Sequence, residues 1–333
     1  MVNKNRNINS HQSLLQISAI IGIVPLLSCN PHEFPSDIDE DFSASTPSKY
    51  VVTIHHNTEM TSVDFYPEMR SPSVEDVCLR YIINVFEEDQ TVYQSTVYSD
   101  DFSFSDFSFD LPVSSIEDKT IYVWSDFVNA STHNTLFYNA TQFDHVSISS
   151  DSYEANTDLR DCFTGHWSIT DSYAISKSEN ITITLERPVG RYTLITHDLD
   201  KFAETISSEA SLQDYSVVVT YPSYLPNSVN LFNDNVNSVA TGVSYESPIK
   251  VQNDSTAILG FDYVMFTNSI DTGVAIQLSL KSPNGTLRRL TSSFNVPMHR
   301  GQNTNVIGKF LTGQVNSGFG IDFRFNGEYN IYI

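Results

Sequence analysis

The sequence is short of basic residues, of cysteine and of long apolar runs, and each shortage excludes something. Lys and Arg number 18 against 40 Asp and Glu, for a net charge of −22. A surface of that sign repels nucleic acid, whose binding needs Lys and Arg to neutralise phosphates, and it favours solubility. Three cysteines occur in 333 residues, without the paired spacing of a metal site. There is no Gly-x-Ser-x-Gly elbow, no phosphate-cradling glycine loop and no His-Glu-x-x-His, which leaves the common hydrolase, nucleotide and metalloprotease chemistries without their parts. The sequence holds neither a convincing internal repeat nor heptads. What is abundant is Ser, Thr, Asn and Asp, with 17 Tyr and 21 Phe. Aromatic and β-branched residues with little alanine favour sheet.

The N-terminus has its own pattern. Lys4 and Arg6 precede a run from Leu14 to Leu27 that is apolar apart from Gln16 and Ser18. A bilayer core of about 30 Å needs roughly 20 apolar residues, so the run is too short to span and has the length and flanks of a signal peptide. It ends in Leu26-Leu27-Ser28-Cys29, which resembles the bacterial lipobox. That resemblance implies cleavage after Ser28 and acylation of Cys29 with palmitate-type chains. An ordinary cleaved signal is the alternative, and Leu26 fits its small-residue subsite poorly. Losing residues 1–28 removes two basic residues and no acid, taking the charge from −22 to −24. Two or more acyl chains give stable anchoring.

The expected organisation is a signal peptide over 1–28, a lipidated acidic tether over 29–47, and β domains over 48–178 and 179–333. Pro31, Pro35 and Pro47 break structure in the tether, and Glu33, Asp37, Asp39, Glu40 and Asp41 charge it, so it buries too little to order itself. These acids resemble the signal that sorts some Bacteroidota lipoproteins to the outer face; a solvated linker is the alternative. Strands are predicted at 50–54 and at 77–86, where Leu79, Tyr81, Ile83 and Val85 share a face. A weaker one follows at 91–98, and others at 119–127, 135–139 and 144–149. In 101–110, keeping Phe102, Phe104, Phe107 and Phe109 on one face requires a one-residue slip near Asp106, read as a bulge. A short helix or turn is expected around Arg160 and Asp161. The second block opens near Asn180, with strands at 181–185, 192–196, 215–221, 229–233, 257–266, 273–280, 286–296, 303–311 and 319–325. Leu199, Phe202, Ala203 and Ile206 have helical spacing, and Ser282-Pro283-Asn284-Gly285 marks a hairpin. Short strands with recurrent turns point to all-β sandwiches.

Candidate chemistry is sparse. Nine histidines are scattered, and His55 and His56 on one strand would face opposite sides, so both cannot ligate one ion. Acidic clusters at 37–41, 87–89 and 100–101 lack the alternating ligands and central glycine of a calcium loop. No catalytic, cofactor or metal residue is assigned. Cys78 and Cys162 are a possible disulfide, permitted in an exported compartment, with two buried thiols as the alternative. Trp124 reads as core; Trp167 is open to exposure. Asp254-Ser255-Thr256 resembles a short O-glycosylation acceptor, with a plain turn as the alternative.

Several segments in order carry a family resemblance. Residues 120–127 (TIYVWSDF), Arg160-Asp161-Cys162-Phe163-Thr164-Gly165, Leu185-Glu186-Arg187-Pro188-Val189-Gly190-Arg191, and Asn303-Thr304-Asn305-Val306-Ile307-Gly308 with Leu311-Thr312 resemble motifs of Bacteroidota fimbrillin-like and minor-fimbria-related lipoproteins. The resemblance implies two tandem transthyretin-like β-sandwich domains on a lipid anchor. It implies a non-enzymatic protein of the outer membrane and cell surface, acting as fimbrial anchor, accessory pilus subunit or stand-alone adhesin. Its partners would be the membrane, through the lipid, and fimbrial subunits, through strand addition. Arg187, Pro188, Asn303, Thr304 and Asn305 would be structural, the last three around a turn. The alternative is a surface glycan- or ligand-binding lipoprotein, which requires an exposed aromatic platform and a host or glycan ligand.

Overall fold

Period-two alternation governs what folds. The computed structural model describes residues 50–57, 76–113, 116, 118–148, 153–168, 180–206, 210–265, 273–312, 320–322 and 328–332. Its strands, in chain order, begin β1 (Tyr50–His56), β2 (Val77–Glu87), β3 (Gln90–Ser99), β4 (Phe107–Leu111), β5 (Lys119–Asn129), β6 (Tyr138–Asn139), β7 (Val146–Ile148), β8 (Cys162–Ser168), β9 (Asn180–Leu185), β10 (Val189–Thr196) and β11 (Ser216–Tyr221). They continue with β12 (Leu225–Asn230), β13 (Asn235–Ala240), β14 (Val243–Pro248), β15 (Lys250–Val251), β16 (Ala257–Met265), β17 (Gly273–Lys281), β18 (Leu287–Arg289), β19 (Phe294–Pro297), β20 (Asn303–Gly308), β21 (Gly320–Asp322) and β22 (Glu328–Tyr332). One α-helix, α1 (Leu199–Thr205), lies among the described residues and buries Leu199 and Phe202. The all-β sandwich expected from the sequence is what forms.

The first core lies between sheet β4-β1-β9 and sheet β3-β2-β5-β8. In β2 the residues Leu79, Tyr81, Ile83 and Val85 are buried as predicted, and so are Cys78, Arg80, Ile82 and Asn84 on the other face. That second face packs under residues 135–148 and the small sheet β13-β12-β7-β6. Arg80 shows why: it bonds both carboxylate oxygens of Asp126 at 2.9 and 2.6 Å and donates to the Tyr138 carbonyl at 3.1 Å. The second core lies between sheet β14-β11-β17-β18, with β19 also on β17, and sheet β15-β16-β10-β20-β22-β21. The predicted 282–285 turn joins β17 to β18, with Gly285 donating to the Ser282 carbonyl.

Two expectations change, and one strand pairing crosses an expected boundary. The phenylalanine segment has no bulge near Asp106. Asp101 instead accepts from the Ser103 amide and the Ser105 hydroxyl, Phe104 takes φ +53°, and the turn brings all four rings against the first core. Asn303, Thr304 and Asn305 lie in β20, parallel to β10, and not in a turn. Thr304 donates to the Pro297 carbonyl and Asn303 to Asn305. The division at 178/179 puts β9 with the second block, yet β9 pairs in parallel with β1 and its Ile181, Ile183 and Leu185 belong to the first core. Parallel partners are joined by long crossovers, so no local pattern reveals them. Phe261, Tyr263 and Met265 of β16 also enter the first core.

Candidate strand-pairing site

β1 is the central strand of a three-stranded sheet. It pairs antiparallel with β4, Val52 opposite Phe109 and Ile54 opposite Phe107, and in parallel with β9, Val52 level with Ile181 and Ile54 with Ile183. Val52, Ile54 and His56 point inward and are buried; Val51 and Thr53 are half-buried and His55 is exposed. Full burial of each aliphatic side chain is worth about 1.5–3 kcal/mol. On the outer face Thr53 bonds Ser108 at 2.9 Å and His55 Nδ1 meets Asp106 at 2.8 Å. Adjacent strands lie about 4.8 Å apart, so without β1 a slot one strand wide would separate β4 from β9.

His56 is the odd member of this inner row. It is 3% exposed, boxed edge-on by Tyr81, Phe104 and Phe163, and neither ring nitrogen has a hydrogen-bond partner among the described residues. Burial, reinforced by His55 and Arg187 and opposed by Asp106, lowers its pKa to about 4. The ring is therefore neutral at pH 7. Nothing in the sequence marks it beyond its parity on the strand.

The motif residues fix the frame around the slot. Arg187 bonds both oxygens of Asp161 at 2.9 Å and lies 4.6 Å over the Phe163 ring. Arg160 pairs with Asp262 at 3.0 Å, both side chains wholly buried. Arg160 also sits over the Tyr153 ring and donates to the Glu154 carbonyl. Tyr153 and Tyr221 donate to Asp262 at 2.5 Å, and Tyr192 bonds both Tyr221 and Tyr245. This network joins the first core to the second. Gly165 allows β8 to touch β9: a Cβ there would come 2.4 Å from the Thr184 carbonyl oxygen.

The remaining sequence candidates are placed as follows. Cys29 lies outside the described residues. Cys78 and Cys162 are buried and unbridged. They sit on β2 and β8, the two flanks of β5, opposite Val128 and Asp126. Two strand spacings come to about 10 Å, beyond the roughly 7 Å a bridge tolerates between Cα atoms. Burial pushes both thiols up in pKa, Cys162 well above the usual range, so neither is a ready nucleophile. Trp124 and Trp167 are both in the first core, and residues 254–256 lie in the turn between β15 and β16, with Asp254 and Ser255 exposed and Thr256 half-buried. No group of three or more metal-ligating side chains occurs among the described residues, and none of their helices is long and apolar enough to cross a membrane.

No curated protein matches the chain. Similar solved structures include one from Bacteroides thetaiotaomicron described as a candidate polysaccharide-binding protein (9% identity, covering 74% of this chain and 80% of that one, TM-score 0.42). The fimbrial anchor protein Mfa2 from Porphyromonas gingivalis is another (16%, 75% and 82%, TM-score 0.37). A third is a fimbrial assembly protein from Parabacteroides distasonis (14%, 78% and 90%, TM-score 0.37). A family model matches residues 43–333, and on that match the chain belongs to DUF6562, a family of unknown function.

Proposed function

We propose that the protein is a lipid-held, cell-surface β-sandwich protein of fimbrillin type, acting as fimbrial anchor, accessory subunit or stand-alone adhesin, and that it keeps its first strand. The observation that carries this reading is the position of β1, paired on both sides with Val52 and Ile54 buried beneath it. A partner donating a strand needs an open edge or slot. Here the slot is filled by the chain itself, so self-pairing competes with addition of a neighbour. Supporting features are the lipobox-like Leu26-Leu27-Ser28-Cys29 and the ordered motifs between residues 120 and 312. The tether from residue 30 to 48 contains no Lys or Arg, and Lys49 immediately precedes β1. A trypsin-like cut at Lys49 would release the body from its lipid. The role assigned is assembly and adhesion, with no reaction.

Mass spectrometry of protein taken from the native cell surface tests the reading. An acylated N-terminus at Cys29 is expected. A mature N-terminus at Tyr50 or Ser71, together with SDS-resistant ladders, makes the protein a polymerising shaft subunit and overturns it.

A further inference from the structure

The outer face of sheet β3-β2-β5-β8 is covered unevenly. Across the middle, Arg80, Trp124 and Asp126 are buried under residues 135–148. One row along, Asn84, Tyr122 and His166 lie abreast on β2, β5 and β8. Here a cleft of about 720 Å³ opens, within the range of roughly 300–1,000 Å³ for small-molecule sites, which favour the meeting places of structural units. One wall comes from β5, β8 and β9; the other comes from the turns at 231–234 and 300–302.

The chemistry of the walls narrows the ligand. Tyr122 and His166 stack at 5.4 Å and 25°. Phe232, 43% exposed, stands edge-on to Tyr122 at 5.0 Å and to Phe86 at 5.1 Å. Beside these rings are exposed Thr184 and Glu186 and half-buried Gln302. Across the cleft Arg300 is ion-paired with Asp234, and at its floor Arg187 is neutralised by Asp161. Both arginines are thus neutralised and exposed Glu186 adds a carboxylate, so the cleft disfavours anions. An apolar ligand would strip water from Thr, Glu and Gln groups and return no hydrogen bonds, which is costly. Amphipathic rings beside mixed donors and acceptors suit a molecule with flat C–H faces and many hydroxyls.

We infer that this cleft binds a short neutral glycan, stacked on Tyr122 and His166, with Phe232 backing Tyr122 from the side, and hydrogen-bonded by Thr184, Glu186 and Gln302. The site does not include β1, but it shares β9 with the slot and Asn57, just past β1, lines it. It is also the observation that favours the second reading of the sequence, a surface ligand-binding protein.

The test is titration calorimetry of the full mature chain in detergent. The probes are tetrasaccharides of mannose, α-glucose, β-glucose, galactose and N-acetylglucosamine, with lactose and sialyllactose as a neutral and charged pair. At least one neutral tetrasaccharide binds with Kd below about 1 mM. Thr184→Trp fills the cleft from an exposed position and weakens binding by about tenfold or more; His166→Ala weakens it with no added bulk. Val251→Trp, at an exposed site elsewhere, leaves it unchanged. Thermal melts of each variant confirm that the fold persists. The inference is overturned if no neutral tetrasaccharide binds with Kd below about 1 mM, if sialyllactose binds more tightly than lactose, or if a folded Thr184→Trp protein binds as well as the parent.

Discussion

The slot around β1 and the junction around Arg160 are both buried and both join distant segments, but they are built from opposite materials. The slot is filled by alternation: Val52 and Ile54 meet Phe107, Phe109, Ile181 and Ile183 through a backbone ladder and non-directional apolar contact. Any strand with β-branched residues at the right parity could satisfy most of it. The junction is filled by identity: Arg160 and Asp262 form a charge pair without solvent, completed by Tyr153 and Tyr221. Desolvation makes such a pair a poor source of net stability but makes its partners irreplaceable one at a time. The contrast separates a place where the molecule can accept substitutes from a place where it cannot.

The largest expected effect comes from breaking the junction. Arg160→Met leaves Asp262 buried without its cation and should cost about 3–5 kcal/mol in urea unfolding. Adding Asp262→Asn should restore most of it, because the tyrosines keep a partner. A single variant that costs under about 1 kcal/mol would show that the junction does not pin the two cores.

The next effect concerns pH and the slot. His56 titrates near 6.5 when unfolded and at about 4 in place, so the unfolded chain binds the extra proton between those values. The full contribution is present above pH 6.5 and is lost as pH falls toward 4. At 1.36 kcal/mol per unit the loss is on the order of 3 kcal/mol. Stability measured from pH 7 to 4 should show this drop, and His56→Phe, which suits the aromatic box, should flatten it. An unchanged profile in His56→Phe would move the acid sensitivity elsewhere.

The smallest effect sharpens the contrast directly. Exchanging the two slot residues, Val52→Ile with Ile54→Val, conserves volume and should cost less than about 1.5 kcal/mol by chemical denaturation. A larger loss would mean the slot is as particular as the junction.

The same contrast explains how much could be read from the sequence. β1, β2, β5, β11, β16 and β17 were legible because alternation is local and their buried faces carry Val, Ile, Leu and Tyr. β13 and β14 were not: Asn235, Asn237, Ser238 and Ser244 give the composition of a loop, and their exposed or half-buried placement asks for nothing more apolar. The strands at 50–54 and 181–185 were legible, but not which residues of β1 face inward, nor that β4 and β9 flank it. Arg160 and Asp161 stood out as a motif, yet Asp262 sits in an ordinary-looking strand and only the fold brings it close. The cleft was hidden for the same reason, since Tyr122 and His166 meet Gln302 and Asp234 from remote stretches.

The first core's use of Phe261, Tyr263 and Met265, together with Asp262 as the counterion of Arg160, bears on biosynthesis. When the first 180 or so residues of this chain have emerged, a buried guanidinium has no counterion and a core lacks a wall. Chains synthesised from the N-terminus usually fold each domain as it appears. This one can complete its first core only once residue 265 has been delivered, so that core closes late in synthesis.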